Sequence, residues 1–94
     1  MQSLAGGTGS GLGAHLVQRL REDYAKSNLL CTAVWPYQHG EVVLQNYNVL
    51  LTLSKLASDS SGLITLFNDE TLQTCRELLK NPRPSYSVMN KVIA

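Results

Sequence analysis

Apolar and polar positions along the 94-residue chain switch between a helical period and short continuous apolar runs. In the first third, apolar residues recur every four positions at Leu12, Leu16, Leu20 and Tyr24. This spacing predicts a helix whose apolar stripe faces the core. Residues 29–35 then form an unbroken apolar run, which is typical of a parallel strand buried on both faces.

The second half repeats the order of helix and strand. A helical pattern returns over residues 42–56, residues 63–67 form a second apolar run, and a third helix follows. The residues expected to face inward on these two helices are Val43, Tyr47, Leu50 and Leu51, then Leu72, Cys75, Leu78 and Leu79. Asn68 or Asp69 is expected to cap the third helix, and Ser85 a final helix that starts near Tyr86. Residues 2–4 resemble the tail of one more strand.

This alternation predicts an α/β fold with a parallel sheet and crossover helices. A parallel sheet that is buried on both faces normally has more strands than this chain supplies. We therefore expect residues 1–94 to form one unit, a partial doubly wound sheet from the middle of a larger domain.

Composition and charge remove several classes of partner. Eight basic and seven acidic residues give a net charge of +1, which argues against a nucleic-acid-binding surface. No apolar run approaches the roughly 20 residues that a membrane span needs. Two cysteines, Cys31 and Cys75, cannot form a disulfide scaffold, and their apolar surroundings indicate buried thiols. We therefore expect neither a nucleic acid nor a membrane as a partner.

Five glycines occur between positions 6 and 13, directly before the first helix. Glycines allow a ligand to approach the peptide N–H groups, and the helix directs its positive end at the same place, so the pattern indicates a phosphate site. A tight packing turn is the alternative. Gly11 is followed by Leu12, so the Walker-A ending is missing. Residues 9–14 do fit the dinucleotide pattern G-x-G-x-x-A, but no acidic residue ends the next strand.

The run Gly6-Gly7-Thr8-Gly9-Ser10-Gly11 resembles the signature of the tubulin family, which includes bacterial FtsZ. The likeness extends along the chain. Residues 42–48 resemble the tubulin segment that follows the ribose loop, and Asn68, Tyr86 and Asn90 fall at the spacing of the guanine-binding residues. Trp35-Pro36-Tyr37 and Gln45-Asn46-Tyr47-Asn48 resemble the δ-tubulin group more than α or β chains. The fold that the resemblance implies is the middle of a tubulin/FtsZ-like GTP-binding domain.

The resemblance implies GTP or GDP as the ligand, with Mg²⁺. The residues that it assigns to the phosphates are Ser3, Gly6, Gly7, Thr8, Gly9, Ser10 and Gly11. Glu41 and Gln45 are assigned to the ribose, Asn68 and Asn90 to the guanine edge, and Tyr86 to stacking on the base. Taken alone, Glu41 could be a solvated loop acid, Asn68 a helix cap, Asn90 an exposed helix residue and Tyr86 a core aromatic. No catalytic residue and no protein metal ligand is assigned.

The function that the resemblance implies is that of a GTP-binding cytoskeletal protein in microtubule, centriole, basal-body or cilium organisation. Its expected partners are other tubulin-family subunits or centriolar proteins, and its expected location is the cytoplasm and cytoskeleton. The acidic loop that activates water in this family lies outside these residues, so we expect a fragment with part of a site. Two alternatives stay open, a dinucleotide-dependent oxidoreductase fragment and a non-catalytic α/β interaction module.

Overall fold

A computed structural model describes residues 1–39, 43–80 and 82–94 of the chain. Its elements are β1 (Gln2–Ser3), α1 (Gly7–Asp23), β2 (Leu30–Trp35), α2 (Gln45–Asp59), β3 (Gly62–Phe67), α3 (Asn68–Leu78) and α4 (Tyr86–Ile93). The predicted order of helices and strands is confirmed, including the short strand at the start. No helix in the described ranges combines the length and hydropathy that crossing a bilayer requires.

The three strands form one parallel sheet in the order β1-β2-β3. Gln2 pairs with Ala33, and the register between β2 and β3 runs from Leu30 opposite Gly62 to Trp35 opposite Phe67. The α/β fold with a parallel sheet is therefore confirmed. Because all strands point the same way, the segments that follow them meet at one edge, which we call the carboxyl edge.

The core lies between the sheet and the helices α1 and α2. Leu4, Ala33 and Leu56 are fully buried there, and Val17 and Val49 complete the contact from the two helices. Apolar surface removed from water at this junction is the main stabilising contribution that the chain makes by itself. The core holds the turn after β1 against the helix α2.

The predicted inward stripe of α1 is wrong. Leu12, Leu16 and Tyr24 are each more than half exposed, whereas the buried residues of α1 are Ser10, Ala14 and Val17. The helix approaches β1 so closely that only small side chains fit beneath it, and the leucines lie on its outer side. We call Leu12, Leu16, Leu20 and Tyr24 the outer stripe of α1.

The inward faces predicted for helices α2 and α3 also differ from those in the structure. Helix α2 begins at Gln45 rather than at residue 42, and it buries Val49, Thr52 and Leu56. The four residues predicted to face inward from this helix, Val43, Tyr47, Leu50 and Leu51, are all exposed. On helix α3 the predicted burial of Cys75 is confirmed and Leu72 is half-buried, whereas Leu78 and Leu79 are exposed; Thr71 is the other buried residue. Each helix thus contacts the rest of the chain through a narrower and more polar face than the leucine pattern predicts.

Of the predicted helix caps, the one for α4 is confirmed and the one for α3 is wrong. Ser85 caps α4 as predicted, since its Oγ accepts a hydrogen bond from the Val88 N–H at 3.4 Å. The predicted cap of α3 at Asn68 or Asp69 is wrong, because Phe67 is the N-cap residue and no side chain caps it. Asp69 instead accepts a hydrogen bond from the Gln38 N–H at 3.0 Å.

Candidate functional site

The turn between β1 and α1 lies at the carboxyl edge of the sheet. Helix α1 begins at Gly7, so most of the glycine-rich stretch forms the first turns of the helix rather than a loop before it. Gly6 is the N-cap residue in an extended conformation, without a capping side chain. Helix geometry leaves the first N–H groups, at Gly7, Thr8 and Gly9, without intrahelical acceptors. Together with the positive end of the helix dipole, they form an environment that binds anions.

The glycines of this turn fall into two structural sets. A Cβ at Gly9 would lie 3.3 Å from the Ser3 backbone nitrogen, and a Cβ at Gly13 would collide with the Gln2 side chain. A Cβ at Gly7 or Gly11 would meet nothing within 4 Å. Gly9 and Gly13 therefore allow α1 to pack against β1, while Gly7 and Gly11 face open space. No described glycine has a positive φ, so close approach rather than an unusual backbone conformation explains these residues.

The turn carries two hydroxyl groups, those of Thr8 and Ser10, which differ in their exposure to solvent. Ser10 is buried, and its Oγ donates a hydrogen bond to the Gly6 carbonyl oxygen within the helix. The Ser10 N–H also bonds to the Gly6 carbonyl, at 3.2 Å. Thr8 is exposed at the open side of the same turn. Thr8 is therefore better placed than Ser10 to offer a hydroxyl to a ligand, and the role of Ser10 at the phosphates stays a prediction.

The turn is also held from the side of α2. Asn48 Nδ2 donates a hydrogen bond to the Ala5 carbonyl oxygen at 3.0 Å, and Ala5 is buried. This bond joins two residues 43 positions apart and fixes the chain directly before the exposed N–H groups. The sequence pattern assigned no such role to Asn48, because the contact depends on how α2 packs beside α1.

A second part of the site is a cleft of about 320 Å³ beside β1 and α4. Four residues that the family resemblance assigns to a nucleotide line this one cleft: Ser3, Asn68, Tyr86 and Asn90. Met1, Gln2, Val34, Met89 and Ile93 complete its walls. Ser3 and Asn90, which are 87 positions apart in the chain, therefore line the same cleft. Asn68 is half-buried, whereas the Tyr86 ring and Asn90 are exposed.

Gln45 lies at a different place on the carboxyl edge. Its Nε2 donates a hydrogen bond to the Tyr37 carbonyl oxygen at 3.1 Å. Gln45 lines a larger cleft of about 770 Å³, whose wall includes the stacked rings of Trp35 and Phe67 with centroids 5.3 Å apart. The structure does not bring Gln45 into the cleft of Ser3 and Asn90. Glu41, the other predicted ribose residue, lies outside the described residues.

Burial affects two ionisable groups. Desolvation raises the pKa of the Tyr37 hydroxyl, and the nearby Tyr86, Asp69 and Cys75 raise it further. Desolvation also raises the pKa of the Cys31 thiol, against a smaller lowering by the N-terminal charge. Within the described ranges, no three His, Cys, Asp or Glu side chains are grouped so that they could hold a metal ion.

Comparison with known proteins indicates a single protein family. A sequence model of the Tubulin/FtsZ family, GTPase domain, matches residues 1–76. The tubulin delta chain of Homo sapiens is 44% identical over all 94 residues, and that of Macaca fascicularis is 43% identical. A tubulin gamma chain of Eremothecium gossypii is 38% identical over the same length. The chain covers 21% of the length of the delta chains and 20% of the gamma chain, so it spans about a fifth of these relatives.

Proposed function

The chain belongs to the tubulin/FtsZ family, GTPase domain, and we propose from this premise that its carboxyl edge forms part of a guanine-nucleotide site. The observation that carries the proposal is the shared cleft of Ser3, Asn68, Tyr86 and Asn90, because Ser3 also lies close to Gly6 and Gly9 at the start of α1. An anion-binding helix end and two amide side chains next to an aromatic ring together suit a purine nucleotide. The proposed ligand is GTP or GDP.

The phosphate half of the site rests on the turn at Gly6. The N–H groups of Gly7, Thr8 and Gly9 would donate to phosphate oxygens, and the open space at Gly7 and Gly11 would let the phosphates approach the backbone. Among the described residues, no lysine or arginine lines the cleft of Ser3 and Asn90, whereas Lys55 lines a separate cleft together with Ser10 and Gly11. Besides Lys55, binding would depend on N–H donors, the helix dipole and a cation that is held mainly by phosphate oxygens and water, as is usual for Mg²⁺.

The base half of the site rests on amide chemistry. Asn68 and Asn90 each offer an N–H donor and a carbonyl acceptor, which matches the mixed donors and acceptors on the edge of guanine. Tyr86 lies in the same cleft with its ring exposed, so a base can stack on it. In this arrangement the two asparagines select guanine by hydrogen bonds, and the Tyr86 ring orients the base by stacking against it.

We further propose that the natural protein is a cytoskeletal protein of the δ-tubulin type, on the strength of the 44% identity to a tubulin delta chain. Other tubulin-family subunits and centriolar proteins are the proposed partners. Centrioles, basal bodies and cilia are the proposed sites of action. This resemblance to a tubulin chain makes the dinucleotide-dependent oxidoreductase unnecessary as an explanation of the glycine pattern.

The test is to purify the natural protein and to identify the nucleotide that it releases on denaturation by anion-exchange chromatography. We expect GDP or GTP in near-stoichiometric amount. The variants Asn68→Ala and Asn90→Ala should each weaken GTP binding by about 1–3 kcal/mol, the cost of losing a buried hydrogen-bonding partner. Gln73→Ala, at an exposed position of α3, serves as the control. A protein that carries no nucleotide and does not bind GTP would support a non-catalytic interaction module instead.

A further inference from the structure

The segment that follows β2 makes hydrogen bonds to three different helices. The Tyr37 carbonyl oxygen accepts from Gln45 Nε2 of α2 at 3.1 Å. The Gln38 N–H donates to Asp69 Oδ2 of α3 at 3.0 Å. The Tyr37 hydroxyl donates to Met89 Sδ of α4 at 3.4 Å. Two consecutive residues thus connect the three helices that surround the carboxyl edge.

Two of these contacts lie next to residues of the proposed nucleotide site, because Asp69 directly follows Asn68 and Met89 directly precedes Asn90. The third partner, Gln45, lines the neighbouring cleft. The contact to Met89 is made inside the fold, since Met89 is only 3% exposed. A movement of the segment at Tyr37 would therefore be transmitted to Asn68 through Asp69 and to Asn90 through Met89.

Helix α4 has few buried contacts of its own, so the bond between Tyr37 and Met89 matters for its position. It is only eight residues long, and its one buried residue is Met89. Tyr37 also lies beside the start of α4, where it shares a small cleft with Pro84, Ser85 and Tyr86. A short helix has little stability of its own, so its position is set by its tertiary contacts. The Tyr37 side chain is such a contact, and its partner Met89 lies in sequence between Tyr86 and Asn90, the two α4 residues proposed to bind the base.

We infer that Tyr37 is a positioning residue that connects helix α2 to the base side of the nucleotide site. This inference rests on the proposed function and adds a residue that the family resemblance did not assign. The Tyr37 carbonyl oxygen accepts a hydrogen bond from Gln45 of α2, and the Tyr37 hydroxyl donates one to Met89 at the base side of the site. An amide is required at position 45 for this arrangement, because a carboxylate could not donate to the Tyr37 carbonyl.

The experiment measures the affinities of the natural protein for GTP and for inosine triphosphate, which lacks the exocyclic amine of guanine. Tyr37→Phe removes only the hydroxyl, and Met89→Leu removes only the sulfur acceptor at similar volume. Each should lower the affinity for GTP by about two- to tenfold, the net range for one hydrogen bond. The preference for GTP over inosine triphosphate should narrow as well, because the asparagines lose their alignment. The double variant should lose no more than either single variant, since both break the same bond.

Tyr47→Phe, at an exposed position of α2, is the matched control and should leave both affinities unchanged. The inference is overturned if Tyr37→Phe behaves like this control, if the two single effects add, or if both nucleotides lose affinity equally. Should Tyr37→Phe fail to fold, Met89→Leu decides the question by the same criteria. A natural protein that binds no GTP refutes the proposed function, and the inference falls with it. Normal GTP binding with an inert Tyr37→Phe refutes the inference alone.

Discussion

Alanine substitutions at Gly7 and Gly9 should have opposite effects, although the two glycines are only two residues apart in the same helical turn. At both positions alanine restricts the unfolded chain, which stabilises the fold by about 0.4–1 kcal/mol where the native conformation accepts it. A Cβ at Gly7 meets nothing within 4 Å, so Gly7→Ala should gain this amount. A Cβ at Gly9 would lie 3.3 Å from both the backbone nitrogen and the Cβ of Ser3.

Ser3 cannot easily move away from that methyl group. It belongs to β1, which pairs with β2, and the next residue, Leu4, donates a hydrogen bond to the Val34 carbonyl oxygen at 3.1 Å. Overpacking against a fixed neighbour costs about 1–3 kcal/mol. Subtracting the entropic gain of about 0.4–1 kcal/mol leaves an expected net loss of about 0–2.6 kcal/mol for Gly9→Ala, with a midpoint of about 1.3 kcal/mol.

Gly7→Ala should weaken nucleotide binding although it stabilises the fold. The methyl group of Gly7→Ala would project into the open side of the turn, where it would keep phosphate oxygens away from the N–H groups. GTP affinity should fall about tenfold, which corresponds to losing ~1.4 kcal/mol. Folding stability is measured by chemical denaturation of the nucleotide-free protein, and affinity by titration with GTP. If Gly7→Ala destabilised the fold and left GTP binding intact, the assignment of the two glycine sets would be wrong.

Three further predictions follow from the described contacts. Asn48→Ala should lower the free energy of unfolding by about 1–3 kcal/mol, because the buried Ala5 carbonyl loses its donor, while Asn46→Ala at an exposed position should have little effect. Because the folded pKa of Tyr37 is raised, its contribution to stability is complete below about pH 10 and is lost as the pH rises through the folded pKa; Tyr37→Phe should flatten this decline in a denaturation series. The 94-residue chain by itself should bind the dye ANS through the outer stripe of α1 and melt without a sharp transition, and a cooperative melt without dye binding would contradict this.

The order of elements could be predicted from the sequence because each element carries a strong local signal. Continuous apolar runs identified β2 and β3, and turn residues separated them from the helices. The parallel arrangement followed from the alternation of helix and strand. Ser85 was predictable as a cap because capping needs only a short side chain next to the first turn of its own helix.

The inward faces of the helices could not be predicted in this way. Leucine periodicity shows that a helix has an apolar side, but it does not show which side the sheet occupies. In α1 the close approach at Gly9 and Gly13 selects the face of Ser10 and Ala14, which is the less apolar one. This choice depends on the distance between α1 and β1, which is a property of the tertiary packing. The large apolar residues on the opposite face remain exposed in the chain as it stands.

The candidate site was predicted in part. The turn that we propose for the phosphates was indicated by glycine spacing before a helix, and its binding role stays a prediction. The resemblance to tubulins supplied Asn68, Tyr86 and Asn90, which line one cleft in the structure. The contacts of Tyr37 were not predictable, since they join residues up to 52 positions apart and depend on where α4 lies. Asp69 was expected to cap α3, but it binds the backbone of the segment after β2 instead.

The central claim is that the carboxyl edge of this sheet recognises a guanine nucleotide. Calorimetric titration of the natural, nucleotide-stripped protein with GTP and with ATP in the presence of Mg²⁺ tests it most directly. The account predicts binding of GTP with a clear preference over ATP, and predicts that the preference shrinks when Asn68 and Asn90 are replaced by alanine. Equal affinity for both nucleotides, or no binding of either, would contradict it.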